Sequence, residues 1–326
     1  YNDYMYFGAD RWLLDNNVNA VTTADKKVFI ATNKGISILT YVPFTLRKKA
    51  DYYEKILENN GHKRLGFVHN LQWDDPTKQW VREVSDNDGG RTSHYVTAMV
   101  FKHAVTGDTS ALDKAIDSFK SLKWLEEITP IPGYPARSVW VPGETGHKAM
   151  HGSGHYKAEW HPTADGKFEW KSDTSSDEVD AHFYAASIFY DILKDKNTRA
   201  LAADHIKKIS DHIIDNDWIL RDLDGKPTRW GRWDIKYFKS NEEGFMARGL
   251  NGCSALSYMK TASHICKNPA YDKAYDHLLS SYYYLSNVLR MKLTFPPDYI
   301  FHSDDRLAFF VYYPLLKYET DTKLVS

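Results

Sequence analysis

The pattern of apolar positions changes near Thr45. Before this residue, short runs rich in β-branched residues alternate with turn residues, as strands joined by hairpins do. After it, apolar residues recur every three or four positions, which is the period of a helix with one buried face. The chain therefore divides into a predicted β segment at residues 1–43 and a predicted helical domain at residues 44–326.

Three strands are expected in the β segment. Val18–Val21 and Val28–Ala31 flank a turn at Ala24–Lys27, and a second turn at Asn33–Gly35 leads into Ile36–Leu39. A sheet of this size buries little apolar surface alone, because two or three strands need a further layer for stability.

This β segment resembles one blade of the propeller repeat found in bacterial two-component regulator sensors. The matching stretches are Asn16–Val18, Phe29–Thr32 and Gly35–Ile36. One blade cannot close a propeller, since repeat architectures need several units to bury their faces. We therefore expect either part of a longer propeller or a lone small sheet.

The helical domain carries about eight amphipathic helices without βαβ alternation, which predicts a mainly α fold. No fixed repeat of the kind that marks a solenoid is present. A long insert at Ile128–Asp173, rich in aromatic residues and histidine, favours an α/α toroid, an incomplete or closed ring of helix hairpins with a site at one mouth. The predicted helices lie at Leu46–Leu57, His94–Val105, Ser110–Glu127, the stretch ending at Tyr190, Arg199–Asp215, Asn251–Cys266, Asp272–Met291 and from Asp304 towards Pro314.

The organising stretch is Glu169–Tyr190, where a polar segment runs into an apolar helix. A capping box at Ser175–Glu178 accounts for part of it, because the serine caps the helix while the glutamate reaches back. Asp177 also suits the positive end of the helix dipole. His182 and Tyr184 are not required by a cap, so they are candidates for chemistry.

The composition of the chain argues against some classes of binding partner and favours another. A formal net charge of −1 gives no bulk attraction for nucleic acid or an anionic membrane, and no apolar run is long enough to span a bilayer. The 10 Trp, 22 Tyr and 15 Phe favour carbohydrate, since sugar rings stack on aromatic faces. The opening YNDYMYFGAD lacks the regions of a signal peptide, and we nevertheless expect a secreted or cell-surface protein.

Several motifs together resemble a group of proteins that join a regulator-type propeller segment to an α/α-toroid domain and are associated with polysaccharide breakdown. The resemblance spans almost the whole chain and implies a relationship to enzymes that act on rhamnose–glucuronate linkages. The motifs are NDGGRTS (87–93), PGYPARS (132–138), AEWHP (158–162), WKSDTSSDEVDAHFY (170–184), DGKPTRWGRW (224–233), RGLNGCSALSYMKTASHI (248–265) and DDRLAFFVYYPLL (304–316).

The first functional hypothesis is β-elimination on a uronate-containing polysaccharide. Such a lyase needs a cation for the sugar carboxylate, and the fork of Arg229 or Arg232 suits that task. His182 and Tyr184 are the candidate base and acid. The alternative for the arginines is a turn in which they stack on the neighbouring Trp230.

Two other hypotheses remain open. A glycoside hydrolase would use paired carboxylates, with Asp88, Asp177, Glu178 and Asp304 as candidates. A non-catalytic carbohydrate-binding or assembly protein would keep the fold without turnover. Candidate substrate-binding residues for all three are Asn87, Asp88, Arg91, Arg137, His151, His155, Trp160, His161, Trp230, Trp233 and Asp304.

No cofactor is expected. The run that carries His147, His151, His155 and His161 lacks the paired short spacings of a zinc site, although a divalent cation is a weaker alternative. The segment Ser85–Gly90 has oxygen ligands at calcium-like spacing but no distal glutamate, so we expect a turn into a helix. The oligomeric state is left open.

Overall fold

The structure, a computed structural model, is mainly α, with helices making up about half of the residues that it describes. This confirms the predicted mainly α class, whereas the α/α toroid, incomplete or closed, stays a prediction. The chain forms two compact units, Tyr1–Ile56 and Leu57–Ser326. The described residues are 5–9, 12–148, 152–153, 156–157, 159–240, 242–281, 284–289, 291 and 302–325.

The first unit contains the three predicted strands as one antiparallel sheet, with β2 in the middle. Asp25 and Lys26 have φ values of 48° and 60°, which is the left-handed backbone of a two-residue hairpin turn. The turn pairs Ala24 with Lys27 and so fixes the register of the first hairpin. The strands are β1 (Val18–Ala24), β2 (Lys27–Thr32) and β3 (Gly35–Thr40).

Eleven helices lie in the part of the chain that the structure describes. They are α1 (Leu46–Asn59), α2 (Asp88–Thr106), α3 (Thr109–Glu127), α4 (Ser176–Ile192), α5 (Lys196–Asp215), α6 (Ile235–Ser240), α7 (Glu242–Cys266), α8 (Pro269–Ser280), α9 (Tyr284–Val288), α10 (His302–Tyr318) and α11 (Thr322–Val325).

Short strands between the helices form small sheets. β6, β7 and β9 form one sheet, in which β7 pairs with β9 in parallel, and β12, β13 and β8 form another. The strands are β4 (Lys63–Arg64), β5 (Phe67–Val68), β6 (Asn70–Asp74), β7 (Gln79–Val84), β8 (Val139–Trp140), β9 (His147–Lys148), β10 (Gly152–Ser153), β11 (Tyr156–Lys157), β12 (Trp160–Pro162), β13 (Glu169–Lys171), β14 (Ile219–Arg221) and β15 (Pro227–Arg232).

Helix α4 lies at the centre of the second unit. It packs against α2, α5, α7 and α10, while α2 and α3, α4 and α5, and α7 and α8 form successive packed pairs. Residues such as Val179, Phe183, Ile188 and Phe189 are buried along it. The stretch chosen from sequence as the organising one is therefore the core helix.

Several helix boundaries differ from the predicted ones, and α2 begins at Asp88 rather than at His94. Helix α7 begins at Glu242 rather than Asn251, and its glycines had lowered the helical signal. Gly252 packs beside Asn287, where a Cβ would make only an ordinary contact at 3.4 Å. The single helix predicted for Asp272–Met291 is instead α8 followed by α9, with the break at Ser281 in extended backbone.

The last predicted helix also differs, because α10 continues through Pro314 to Tyr318. Proline removes one backbone hydrogen bond and usually ends or kinks a helix. Here Val311 and Leu315 are buried on either side of it. Tertiary packing of that face therefore outweighs the local cost.

The starts of α2 and α4 are joined by one buried carboxyl. Ser175 is the N-cap residue of α4, as predicted, but the capping box is not formed. Glu178 instead accepts from Gly89 N at 2.6 Å and from Gly90 N at 2.9 Å. It thus satisfies two of the free amides at the start of α2. Glu178 therefore caps α2 instead of its own helix α4, a long-range contact that the Ser175–Glu178 spacing does not predict.

This contact predicts a difference between two adjacent glycines. A Cβ at Gly89 would lie 2.1 Å from Glu178 Oε1, whereas a Cβ at Gly90 would meet its nearest neighbour at 3.5 Å. Gly89→Ala should therefore lower the free energy of unfolding by about 1–3 kcal/mol. Gly90→Ala, the matched control, should be neutral or slightly stabilising. Equal denaturation midpoints for the two variants would contradict this account.

Candidate functional site

Polar side chains from separate stretches of the chain meet around the first turns of α2 and α4. They come from the loop before α2, the segment before β8, the end of β13 with the loop after it, the first turn of α4 and the strand β15. We call this group the rim cluster. It comprises Asp86, Asn87, Arg137, Lys171, Asp173, Asp177 and Arg229.

Asp86 is a carboxylate held by two cations. Its Oδ1 lies 2.7 Å from Lys171 Nζ and 3.2 Å from Arg137 Nη1. The Lys171 side chain is fully buried, and burial lowers its pKa against the opposing effect of Asp86. The Asp86 carboxylate thus forms ion pairs with two cations. Its side chain remains 21% exposed, so the anion borders solvent.

Asp173 lies in a different environment. Its φ of 57° is unusual for a residue other than glycine, and two hydrogen bonds hold it there. Its Oδ1 accepts from Arg229 N at 2.8 Å, and its own N–H donates to Asp222 Oδ2 at 2.9 Å. Burial raises the pKa of Asp173, and the charge of Asp222 adds to the rise. This half-buried acid therefore keeps its proton to a higher pH than an exposed aspartate.

Asp177 ties the loop before α2 to the first turn of α4. In the amide orientation that satisfies both of its polar atoms, Asn87 donates to Asp177 Oδ2 at 3.0 Å. The Ser175 hydroxyl donates to the other carboxylate oxygen. Asp177 is half-buried, so its carboxylate is held by these two partners and still borders solvent.

Two tryptophans border the rim cluster. Lys171 Nζ lies 5.7 Å from the centroid of the Trp160 ring, and the Arg229 guanidinium lies 4.5 Å from that of Trp230. Both rings are half-buried. Aromatic faces beside carboxylates are a common arrangement for holding sugar rings.

The predicted arginine clamps all face carboxylates of the chain itself. Arg229 pairs with Glu243 at 2.7 Å, Arg232 with Asp234 at 3.3 Å, and Arg91 with Glu83 at 3.5 Å. The stacking alternative holds for Arg229 on Trp230, but Arg232 lies over Tyr237 instead, 4.4 Å from its centroid. A uronate would compete with an internal partner at each of these positions.

His182 lies in the core of the second unit. Its side chain is fully buried, its Nδ1 lies 2.9 Å from His205 Nε2, and Glu178 Oε1 is 3.9 Å from its Nε2. Burial lowers the pKa of His182 to about 3. A substrate has no access to this ring, so its position is that of a neutral structural histidine.

Tyr184 lies one half-turn further along α4. Its ring stacks on Phe310 of α10 with centroids 4.4 Å apart, and burial raises its pKa. A raised pKa is opposite to what a phenolate relay needs. The rim cluster thus does not include the two residues on which the elimination chemistry depended.

The remaining predicted residues are dispersed. Asp88 and Trp233 are fully buried, with Asp88 Oδ1 3.2 Å from His69 Nδ1. Asp304 is half-buried at the start of α10, and His161 lies 4.6 Å from the ring of Trp170. His147 is exposed, and His151 and His155 lie outside the described residues.

Sequence reasoning missed Asp86, Lys171, Asp173 and Glu243. Asp86 and Asp173 stand inside motifs that had been singled out, in SDNDGG and WKSDTSS. A signal was therefore present in the carboxylates that precede each helix start. Their meeting depends on the packing of α2 against α4, which no local pattern reveals.

An open cavity of about 470 Å³ lies between the end of α5, the turn after β14 and the residues 131–133. Its walls include Lys208, His212, Arg221 and Asp222. Asp222 thus contributes to the cavity wall and also accepts from the Asp173 backbone.

The described residues contain no group of three or more His, Cys, Asp or Glu side chains arranged to hold a metal ion. Within the same residues, no helix has the length and apolar character needed to cross a membrane. The two cysteines are not paired with each other.

Comparison with known proteins gives no family assignment. No family model matches the chain, and no curated protein matches it. A solved Bacteroides ovatus protein of glycoside hydrolase family 9 aligns with a TM-score of 0.36 and 11% identity. The alignment covers 93% of this chain and 64% of the other, so the chain spans less than two thirds of that protein. A TM-score of this size does not establish a shared fold.

The buried histidine pair predicts how stability depends on pH. Burial lowers the pKa of His182 to about 3 and that of His205 well below its usual value. The unfolded chain takes up these protons near pH 6.5, while the folded state stays neutral, so stability falls as the pH drops below 6.5. Each histidine should contribute about 1.4 kcal/mol per pH unit.

His205→Gln keeps a polar partner for His182. This variant should lose the contribution of one histidine, about 1.4 kcal/mol per pH unit, from the slope of stability against pH. His277→Gln on the exposed face of α8 should leave it unchanged. Glu178 has the opposite effect on the pH dependence of stability, because its pKa is raised. This effect is the same in both variants, so it cancels when their slopes are compared. Urea titrations between pH 6.5 and 5 measure the slopes, and identical slopes for both variants would rule out the histidine account.

Proposed function

We propose that the protein is a carbohydrate-active enzyme that hydrolyses glycosidic bonds at the rim cluster. The observation that carries the proposal is the difference between its aspartates. Burial raises the pKa of Asp173, whereas Asp177 lies at the boundary with solvent in the first turn of α4, where Ser175 and Asn87 orient it. Carboxyl groups in contrasting environments supply the acid and the base that glycoside hydrolysis requires.

In the proposed reaction, Asp173 in its protonated form donates to the glycosidic oxygen as that bond breaks. Asp177, oriented by Ser175 and Asn87, acts as the carboxylate that activates water or attacks the anomeric carbon. Asp86 and its two cations hold the loop before α2 in place. Trp160 and Trp230 bind the sugar rings on either side.

Hydrolysis accounts for the geometry better than elimination. An eliminating enzyme needs a base at the substrate, but His182 is fully buried and Tyr184 is stacked against Phe310. It also needs a cation for the uronate, and the predicted arginines are paired with Glu243, Asp234 and Glu83.

The carboxylate roles can be tested by single substitutions. Asp173→Asn and Asp177→Asn should each lower kcat about 10²- to 10⁴-fold, because each removes a proton-transfer or nucleophilic group. Asp113→Asn on the exposed face of α3 is the control and should retain full activity. The assay follows new reducing ends released from soluble polysaccharides, both uronate-containing and neutral.

The same assay separates hydrolysis from its alternatives. Products that absorb in the ultraviolet through a new C=C bond would indicate elimination and would refute the hydrolytic proposal. Binding of a glycan with no new reducing ends would indicate a non-catalytic protein. Full activity in both aspartate variants would exclude the assigned roles.

The environment of Asp173 also predicts a shift in the pH profile. Asp173 must be protonated to act as the acid, so activity should fall as the pH rises through its raised pKa. Asp222→Asn removes a charge that raises this pKa, while its amide oxygen still accepts from the Asp173 N–H. The basic limb of kcat/KM should therefore move to lower pH. Asp224→Asn, an exposed change in the same turn, should not move it.

A further inference from the structure

Two tryptophans are exposed on the hairpin of β6 and β7. Trp73 and Trp80 are directly opposite each other, with ring centroids 5.6 Å apart and the planes at 68°. They are 44% and 64% exposed. Cross-strand packing accounts for the contact between the rings and leaves their outer faces open to solvent. Large aromatic faces presented in this way are binding anchors.

The exposed pair lies on the sheet face that leads to the rim cluster. Residues two apart on a strand share a face, so Trp80, Arg82 and Val84 point to the same side of β7. Val84 is paired with Lys148 of β9, and Lys148 Nζ lies 4.9 Å from the centroid of the Trp160 ring. Trp160 already borders the rim cluster. The strands β7 and β9 therefore link the tryptophan pair to Trp160, at the border of the proposed site of hydrolysis.

The length of this surface suits a chain of several sugars. Trp80 and Val84 are four positions apart on the strand β7, which at about 3.3 Å per residue separates them by about 13 Å, and Asp86 follows two residues later. A monosaccharide cannot reach from the tryptophan pair to the carboxylates. An extended glycan can contact both.

The middle of the surface carries a weakly held cation. Arg82 donates to the carbonyl oxygens of Gly61 and Thr145, both at the long distance of 3.4 Å. Its Nε is buried without a hydrogen-bond partner. A guanidinium that has only long contacts to neutral groups is suited to an incoming carboxylate or sulfate. By contrast, Glu83 points to the other face of β7, where it pairs with Arg91.

We propose that Trp73, Trp80 and Arg82 form a distal subsite for an extended acidic glycan, whose sugar rings stack on the tryptophans and whose acidic group meets Arg82. The inference rests on the proposed function for the class of ligand, but it does not depend on cleavage. The subsite recognises chain length and charge at a distance from the reacting bond.

The test measures binding of the full chain to three probes: polygalacturonate, a neutral β-glucan of similar length, and a uronate trisaccharide. Affinity electrophoresis or calorimetry gives Kd for the polymers and the trisaccharide without requiring turnover. The variants are Trp73→Ala with Trp80→Ala, and separately Arg82→Gln. Phe101→Ala, which truncates an exposed aromatic on the distant half of α2, is the matched control.

The double tryptophan variant should bind the acidic polymer about tenfold more weakly, as the loss of an aromatic anchor predicts, and should bind the trisaccharide as the wild type does. Arg82→Gln should weaken binding of the acidic polymer only. If Arg82→Gln weakens binding of the acidic and the neutral polymer equally, Arg82 does not recognise the acidic group.

Unchanged polymer binding in the tryptophan variant would overturn the subsite while leaving hydrolysis at the rim cluster intact. Glycan binding that depends on the tryptophans, without any release of reducing ends, would support the subsite and overturn the proposed hydrolysis. If the wild-type protein binds none of the three probes, the glycan subsite is excluded. Circular dichroism of each variant verifies that the hairpin change has not unfolded the chain.

Discussion

The second unit depends on one buried carboxyl group that serves two helices. Glu178 belongs to α4, yet its oxygens accept from the first amides of α2. Burial raises the pKa of Glu178, and the two backbone donors oppose that rise. The contact also requires glycine at position 89, since a side chain would occupy the place of the carboxyl. Because the two helix starts are held together in this way, Asn87 and Asp177 come within hydrogen-bonding distance.

Depth along α4 separates structural polar groups from those available for chemistry. Asp177 and Glu178 are neighbours, but one borders solvent and the other is fully buried. Further into the helix, Asp180 accepts from the Tyr258 hydroxyl, and burial raises its pKa to about 8. His182 and His205 are neutral for the same reason. These buried groups form hydrogen bonds between helices, whereas the rim cluster keeps its carboxylates at the boundary with water.

The small sheets extend the functional surface beyond the helices. The long insert after α3 supplies β9, β12 and β13, which bring Lys148, Trp160 and Lys171 to the starts of α2 and α4. The helices α2 and α4 contribute their first turns to that region. Strands contribute side chains at regular spacing along a line, and a linear polymer is the kind of ligand that such spacing fits.

The sequence by itself determined the local structure: the three strands, the hairpin turn at Asp25 and Lys26, the helical periods, and Ser175 as an N-cap. These follow from short-range sterics and from the 2.0 and 3.6 periods, which a few neighbouring residues specify. It also indicated the stretches that carry the site, although not which of their residues face outward. Only the tertiary structure decided that Glu178 caps a different helix, that His182 is buried, and that Asp86 and Asp173 both contact Arg137. The physical reason is that burial and long-range hydrogen bonds depend on how α2 packs against α4, across nearly ninety residues of intervening chain.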